Sequence, residues 1–253
     1  MKRVFIGLML LFSLNAAAQK TQVVAHRGYW DTPNNAQNSI TSLETAQKIP
    51  VYGSEFDVNM TSDGVMVVSH GPKLESIPDV QKATYKEVKK VRLKNGEKVP
   101  TLKKYLKQGK KGDIKLIFEL KVHPAGEIEN AAVRKSVEMV KKMKLENQVE
   151  FISFSLEACK QLAELMPECM VQYLNGKIPP KELKEMGIMG LDYHYSNFEQ
   201  NPQWVKEAHD LGMIVNVWTV NKEELMQKMI DLKVDYITTD APEKALELIE
   251  KSK

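Results

Sequence analysis

The sequence predicts an α/β protein that folds as a single (β/α)8 barrel of the TIM type. Short β-rich runs alternate with helical patterns along most of the chain, which indicates a sheet built from βα units. Nine strand-like runs occur, one more than a closed barrel of eight requires. The chain has 253 residues, and about 250 residues is a usual length for one such barrel. We therefore expect one barrel domain over residues 19–253.

The strand-like runs cover residues 23–26, 54–58, 65–70, 114–120, 149–154, 170–174, 188–193, 213–218 and 235–239. Helical patterns separate most of them, over Ser39 to Gln47, Glu127 to Met143, Leu156 to Leu165, Pro202 to Leu211, Lys222 to Leu232 and Pro242 to Lys251. Only "NMTSDG" joins the second run to the third, which is too short for a parallel crossover. We expect a β-hairpin extension there, turning at Asp63-Gly64. Residues 71–113, the longest connection, are expected to form an insertion over one face of the barrel.

The first eighteen residues have the pattern of a secretory signal peptide. Lys2 and Arg3 precede the apolar run "VFIGLMLLFSL", and the small residues at 16–18 follow it. We expect cleavage after Ala18 and an exported protein, most simply a periplasmic one in a bacterium. No segment reaches the roughly twenty apolar residues of a transmembrane helix.

Charge and cysteine content limit the possible partners. Without Lys2 and Arg3 the chain carries 34 basic and 33 acidic side chains, a balance that argues against nucleic-acid binding by the whole domain. Residues 82–115 nevertheless hold thirteen Lys or Arg and three acids. This run is either a solvated helix face or a positive field that attracts phosphates or contacts anionic lipid. Cys159 and Cys169 form either one bridge or two buried thiols, and we favour the thiols.

Three carboxylates fall at predicted strand ends. Glu55 and Asp57 lie two residues apart in "SEFDV", so both side chains point to the same face of the strand. Two neighbouring carboxylates repel unless a cation or a proton relieves them. Glu119 ends another strand, with Lys121 two residues further on. An all-oxygen set suits Mg²⁺ or Ca²⁺, and the absence of closely spaced His or Cys ligands argues against zinc.

Two histidines also end strand-like runs, His26 in "VVAH" and His70 in "VVSH". A pair of imidazoles suits acid–base catalysis near neutral pH. Among the other histidines, His209 is expected to be structural, His123 lies in a loop, and His194 could line the cleft.

A set of motifs occurs in one order along nearly the whole chain: "HRG" at 26–28, Glu55-Phe56-Asp57-Val58, Thr61, Asp63-Gly64, "VVSH", "PTL", "ELK", "VWTVN" and "TTDAP". In this order the chain resembles the glycerophosphodiester phosphodiesterases, phospholipase-C-like barrels that cleave glycerophosphodiesters to an alcohol and glycerol 3-phosphate. The resemblance implies one divalent cation, Mg²⁺ or Ca²⁺, held by Glu55, Asp57 and Glu119. It implies His26 and His70 as the catalytic acid–base pair. It also implies substrate binding by Arg27, Lys121 and Trp218, with Trp218 as an apolar wall beside the glycerol moiety.

The chain departs from the family pattern at two places. Residues 36–39 read Ala-Gln-Asn-Ser where the family usually has Pro-Glu-Asn-Thr, and His70-Gly71 replaces the usual His-Asp pair. The leading hypothesis is hydrolysis of water-soluble glycerophosphodiesters. The alternatives are the same site acting on intact or lyso-phospholipid at a membrane surface, and a phosphodiester-binding module without turnover.

Overall fold

The computed structural model describes residues 20–252. The predicted signal peptide, residues 1–18, lies outside the described residues. The described strands are β1 Gln22–Ala25, β2 Gly53–Met60, β3 Met66–Val68, β4 Lys115–Leu120, β5 Val149–Ser153, β6 Val171–Tyr173, β7 Gly190–His194, β8 Ile214–Trp218 and β9 Tyr236–Thr239. The described helices are α1 Ile40–Ala46, α2 Tyr85–Val88, α3 Leu102–Gly109, α4 Glu127–Met143, α5 Leu156–Leu165, α6 Pro180–Glu185, α7 Tyr195–Gln200, α8 Gln203–Asp210, α9 Glu223–Asp231 and α10 Pro242–Lys251.

Eight parallel strands close into a barrel. They follow the order β1-β9-β8-β7-β6-β5-β4-β2, and β1 pairs in parallel with β2 to complete the ring. The ninth strand, β3, pairs antiparallel with β2 through Val58 and Val68. The predicted (β/α)8 barrel and its hairpin extension are therefore both confirmed.

Six of the ten described helices match predicted helical patterns, and the other four are short, with at most eight residues each. The bounds of α4, α5 and α10 agree with the prediction, whereas α2, α3, α6 and α7 were not predicted. Helix α3 lies in the lysine-rich run, and its apolar face consists of Leu102, Tyr105 and Leu106 between exposed lysines. Part of that run is thus a solvated helix face.

Strand alternation decides which side chains enter the barrel. Phe56 and Phe118 point outward into the main core, where their ring centroids lie 5.2 Å apart. Their neighbours along the strands, Glu55, Asp57 and Glu119, therefore point inward. The register of β2 on β4 places Asp57 directly beside Glu119.

Residues 71–100 pack a small hydrophobic cluster of their own against the hairpin. Its buried members are Val67, Leu74, Ile77, Val80, Val88, Val91 and Val99.

Both cysteines are free and buried, as the preferred interpretation expected. Among the described helices, none combines the length and apolar character needed to cross a membrane.

Candidate active site

The first strand ends in a sharp turn that exposes the imidazole and guanidinium of "HRG". Arg27 and Gly28 both have positive φ, 56° and 80°. A Cβ at position 28 would overlap Ser42, so only glycine fits this turn. The turn directs the Arg27 amide to the Glu55 Oε2 atom at 2.8 Å, which ties the end of β1 to the inward face of β2.

The three predicted carboxylates meet in the barrel. Each of Glu55, Asp57 and Glu119 offers an oxygen that lies within 4.8 Å of the other two. The residues are only 3%, 1% and 8% exposed. The Glu55 Oε1 atom has no hydrogen-bond partner among residues 20–252. A buried, incompletely paired set of carboxylate oxygens fits a hard divalent cation.

The three carboxyl groups of this cluster differ in how readily they ionise. Burial raises the pKa of Glu119 to about 8, and the Asp57 charge adds to this effect. Burial, with repulsion from the other two acids, also raises the pKa of Glu55 well above its ordinary value. Burial opposes ionisation of Asp57 too, but Lys121 and Arg27 lower its pKa to about 2. Without a cation, burial and mutual repulsion therefore favour the protonated forms of Glu55 and Glu119, whereas Asp57 stays ionised.

Two positively charged side chains, Lys121 and Arg27, lie beside the acid cluster. Lys121 Nζ lies 3.2 Å from Asp57 Oδ1 and 2.5 Å from Glu119 Oε1. Arg27 Nε lies 3.4 Å from Asp57 Oδ2, and its Nη1 donates to Gln37 Oε1 at 2.8 Å. Gln37 stands where the family usually has Glu. It still provides an acceptor for Arg27, through an amide oxygen instead of a carboxylate.

Asn38 is a site residue to which sequence reasoning gave no role. Its side chain donates to Asp57 Oδ2 at 2.8 Å and accepts the Asp57 backbone N–H at 3.0 Å. These two bonds hold the most strongly ionised acid of the cluster in place. The available signal was its position beside Gln37 in the segment 36–39, which the sequence analysis treats only as a departure from the family pattern.

His26 is oriented by a carboxylate. Its Nδ1 lies 2.8 Å from Asp240 Oδ1, and Asp240 also accepts hydrogen bonds from Trp30 and Asn221. Burial would raise the pKa of Asp240, but the hydrogen bonds from His26, Asn221 and Trp30 together outweigh it, and the pKa is lowered. An ionised carboxylate only accepts, so His26 Nδ1 carries the proton and Nε2 is left available, 4.0 Å from Glu55 Oε2. Asp240 was quoted within "TTDAP" but received no role.

His70 follows β3 and lines the same cavity as His26. Unlike His26, it has no hydrogen bond to a carboxylate among residues 20–252. Within residues 20–252 no hydrogen bond to its imidazole is present. Burial lowers the pKa of His70 to about 4, and the nearby Lys121 and Arg27 act in the same direction against Asp57. Gly71 has φ 49°, and a Cβ there would lie 2.8 Å from Asn59 Nδ2. The backbone of this loop therefore favours glycine where the family usually has aspartate.

A cavity of about 130 Å³ gathers these groups at the carboxyl ends of the strands. Seven of the eight predicted site residues line it; the eighth, Asp57, is buried and pairs with Lys121. The remaining lining residues, which were not predicted, are Ile152, Phe154, Leu174, Asp192, Thr219 and Thr238.

Comparison with known proteins decides the family. Residues 26–244 match the sequence model of the glycerophosphoryl diester phosphodiesterase family. The chain belongs to this family. It is 51% identical to a glycerophosphodiester phosphodiesterase structure from Parabacteroides distasonis, with a TM-score of 0.90 over 92% of this chain and 98% of the other.

More distant relatives cover the chain to the same extent. A glycerophosphodiester phosphodiesterase of Caldanaerobacter subterraneus is 27% identical over 92% of this chain and 99% of its own length. An Oleispira antarctica phosphodiesterase, solved with the product sn-glycerol 3-phosphate, is 27% identical, with a TM-score of 0.80 over 91% of this chain and 97% of the other.

In this family member a second cavity, of about 440 Å³, adjoins the first and shares Arg27 and His70 with it. Its other walls come from residues 30–38 and from the insertion, including Lys73, Glu75 and Lys94. His70 thus stands between the two cavities.

The remaining histidines lie elsewhere. His209 pairs with Asp235 at 2.9 Å, which agrees with the expected structural role. His123 Nε2 accepts the Met60 N–H at 2.9 Å. His194 packs beside Trp218 at a centroid distance of 5.4 Å and is not among the residues that line the cavity.

Proposed function

We propose that this protein hydrolyses glycerophosphodiesters to an alcohol and glycerol 3-phosphate, using one bound divalent cation and two histidines. The observation that carries the proposal is the shared cavity, where the acid cluster, two imidazoles, a guanidinium and an ammonium face one space. The family match and the glycerol 3-phosphate bound to the Oleispira relative support this substrate class.

Glu55, Asp57 and Glu119 would hold the cation, either Mg²⁺ or Ca²⁺. Their oxygens are close enough to share one ion, and a divalent charge would favour the ionised forms of Glu55 and Glu119, whose pKa values burial raises. When bound, such an ion neutralises phosphoryl oxygens and orients the phosphate.

Arg27 and Lys121 supply the other positive charges. A phosphodiester anion repels an incoming nucleophile, so its non-bridging oxygens must be neutralised before attack. Arg27 presents a planar pair of donors to phosphate, and its Nη1 and Nε are already aligned by Gln37 and Asp57. Lys121, which also lines the cavity, adds a compact positive charge.

The geometry favours distinct roles for the histidines. His26 has its Nδ1 proton held by Asp240, so its free Nε2 accepts the proton of the attacking oxygen. His70 stands where the two cavities join, so it is placed to protonate the alcohol as this leaves through the larger cavity. A bound phosphodiester anion would raise the pKa of His70 from its low value towards the range a general acid needs.

The test is to incubate purified residues 19–253 with glycerophosphocholine, glycerophosphoethanolamine and glycerophosphoglycerol and to assay glycerol 3-phosphate. We expect product with Mg²⁺ or Ca²⁺, none with a chelator, and a loss of at least about a hundredfold in His26→Ala. His209→Gln is the matched control, because His209 pairs with Asp235 away from the cavity and its replacement should keep activity. Equal turnover in chelator, or an active His26→Ala, would contradict the proposal. Tight binding without turnover would instead establish the non-catalytic binding module.

A second candidate is action on lyso-phospholipid at an anionic membrane surface. The exposed side chains of Lys86, Lys89, Lys90, Lys94 and Lys98 form no ion pair within the described part of the chain, and Lys94 borders the second cavity. Each basic group near an anionic bilayer contributes about 1 kcal/mol of attraction. Turnover on lysolipid in anionic vesicles above that on soluble glycerophosphocholine would favour this candidate. The advantage should be lost on Lys89→Glu/Lys90→Glu and kept on the α3 control Lys103→Glu/Lys107→Glu.

Export is a further part of the proposal. Cleavage after Ala18 would leave a mature chain that begins at Gln19. N-terminal sequencing of the protein from a periplasmic fraction tests this; a protein that begins at Met1 and remains in the cytoplasm would contradict it.

A further inference from the structure

We infer that Asp192 is a specificity-determining residue that binds a hydroxyl group of the substrate's glycerol moiety through its side-chain carboxyl. The inference rests on the proposed function and adds a recognition role to a residue outside the acid cluster.

The cavity has two chemically different halves. One half carries the phosphate-binding and acid–base groups described above. The other half is largely apolar, with Ile152, Phe154, Leu174 and Trp218 as walls. A glycerol moiety whose phosphate lies against Arg27 and Lys121 would extend into this second half, where its hydroxyls need polar partners.

Asp192 lies among the residues of the apolar half, and within residues 20–252 one oxygen of its carboxyl has no hydrogen-bond partner. It is 1% exposed and lies on β7, where Tyr193 points outward to pack on Phe198 at a centroid distance of 6.0 Å. Asp192 therefore points into the barrel, and it lines the cavity. Its Oδ1 atom has no hydrogen-bond partner among residues 20–252.

The neighbours of Asp192 leave that oxygen for a ligand. Asn216 lies opposite Asp192 in the register of β7 on β8, and Asn216 Oδ1 accepts a hydrogen bond from Thr238 Oγ1 at 3.0 Å. The Thr238 hydroxyl proton is thus used within the protein. The Asp192 backbone oxygen accepts from Trp218 Nε1 at 2.8 Å, which fixes the indole wall beside the carboxyl.

A hydrogen bond between the Asp192 carboxyl and a glycerol hydroxyl would give both groups the polar partner they need. A buried carboxyl oxygen without a partner is destabilising, and so is a glycerol hydroxyl placed among apolar side chains. Burial also raises the pKa of Asp192 well above its usual range and so favours the neutral carboxyl; in either protonation state a carboxyl oxygen can accept from a hydroxyl. A phosphodiester without hydroxyls at this position gains nothing from Asp192.

The experiment compares two substrates across three variants, Asp192→Ala, Asp192→Asn and Asp235→Asn. Asp235 is the matched control. Like Asp192 it is a buried aspartate whose Oδ1 has no hydrogen-bond partner among residues 20–252, but it directly precedes β9, at the amino end of that strand, and pairs with His209. For glycerophosphocholine we expect Asp192→Ala to lower kcat/KM about ten- to a hundredfold. For bis(p-nitrophenyl) phosphate, which has no glycerol, we expect a change within about twofold. Asp192→Asn should lose less, since an amide still pairs with a hydroxyl, and Asp235→Asn should leave the ratio between the substrates unchanged.

Binding measurements keep the test independent of turnover. The dissociation constant of glycerol 3-phosphate should rise in Asp192→Ala, while that of inorganic phosphate should stay the same, provided that circular dichroism shows a folded variant. Equal losses on both substrates, or equal weakening of both ligands, would overturn the inference, as would no change at all. An inactive wild-type enzyme would refute the proposed function, and the two binding constants would still decide the role of Asp192.

Discussion

Replacing Glu119 with glutamine should stabilise the metal-free protein at alkaline pH and strongly reduce the stabilisation that metal provides. Burial beside Asp57 raises the pKa of Glu119 from 4.5 to about 8. The full shift corresponds to an upper bound of about 5 kcal/mol, since each pKa unit is about 1.4 kcal/mol. Loss of the contact with Lys121 offsets part of this gain. We expect a net stabilisation of about 1 to 3 kcal/mol at pH 8.5.

The pH dependence has a definite sign. A carboxyl whose pKa is higher in the folded than in the unfolded protein binds more protons when folded. Its destabilising effect is therefore absent below about pH 4.5, grows as the pH rises, and is complete above about pH 8. The wild-type protein in chelator should lose stability across this window relative to Glu119→Gln, and the two should be equal near pH 4.

The assay is urea unfolding at pH 4, 6 and 8.5, in chelator and with Mg²⁺ or Ca²⁺. At a metal concentration of a hundred times Kd, the wild-type protein should gain about 2.7 kcal/mol, whereas Glu119→Gln should gain much less. Glu150→Gln is the matched control, because Glu150 is also a buried acid of raised pKa but lies outside the acid cluster. That variant should keep the metal response.

Two results would refute this reasoning. One is a wild-type protein in chelator whose stability, relative to Glu119→Gln, does not change between pH 4 and 8.5. The other is a Glu119→Gln protein that gains as much from metal as the wild type, because the acid cluster would then not be the metal site.

Three further substitutions test the surroundings of the site. Asp240→Asn should lower kcat about tenfold or more and alter the pH–rate profile, since His26 loses the acceptor that orients it; an unchanged profile would contradict this role. Gly71→Asp should destabilise the fold by about 1 to 3 kcal/mol in urea unfolding, because of its positive φ and the approach to Asn59; a stability equal to the wild type would show that the loop adapts. Trp218→Ala should raise KM for glycerophosphocholine about tenfold with a smaller effect on kcat, and an unchanged KM would remove the indole from the glycerol-binding wall.

Most of the fold could be read from local sequence patterns. Alternating β-rich and helical segments predicted the barrel, and the short "NMTSDG" link predicted that β3 would be an antiparallel addition. Period-2 geometry alone placed Glu55 and Asp57 on one face. Helix α3 was missed although Leu102, Tyr105 and Leu106 form a clear apolar face, because its eight residues span only about two helical turns, in which the period has little room to repeat.

The supporting residues of the site were harder to predict. Asn38 and Asp240 form hydrogen bonds with Asp57 and His26, which are distant from them along the chain. Asp240, for example, meets His26 only because β9 lies beside β1 in the closed ring. No local pattern distinguishes such an aspartate from one in an ordinary loop.

The sequence by itself determined the strand and helix periodicity, the chemical types at the strand ends and the ordered motifs of the family, since these depend on neighbours along the chain. Only the tertiary structure decided that Asp57 lies beside Glu119, that a carboxylate orients His26 but not His70, and that Asp192 enters the cavity with an unpaired oxygen. The physical reason is that register and barrel closure set these distances, and both arise from packing between segments that are far apart in the chain.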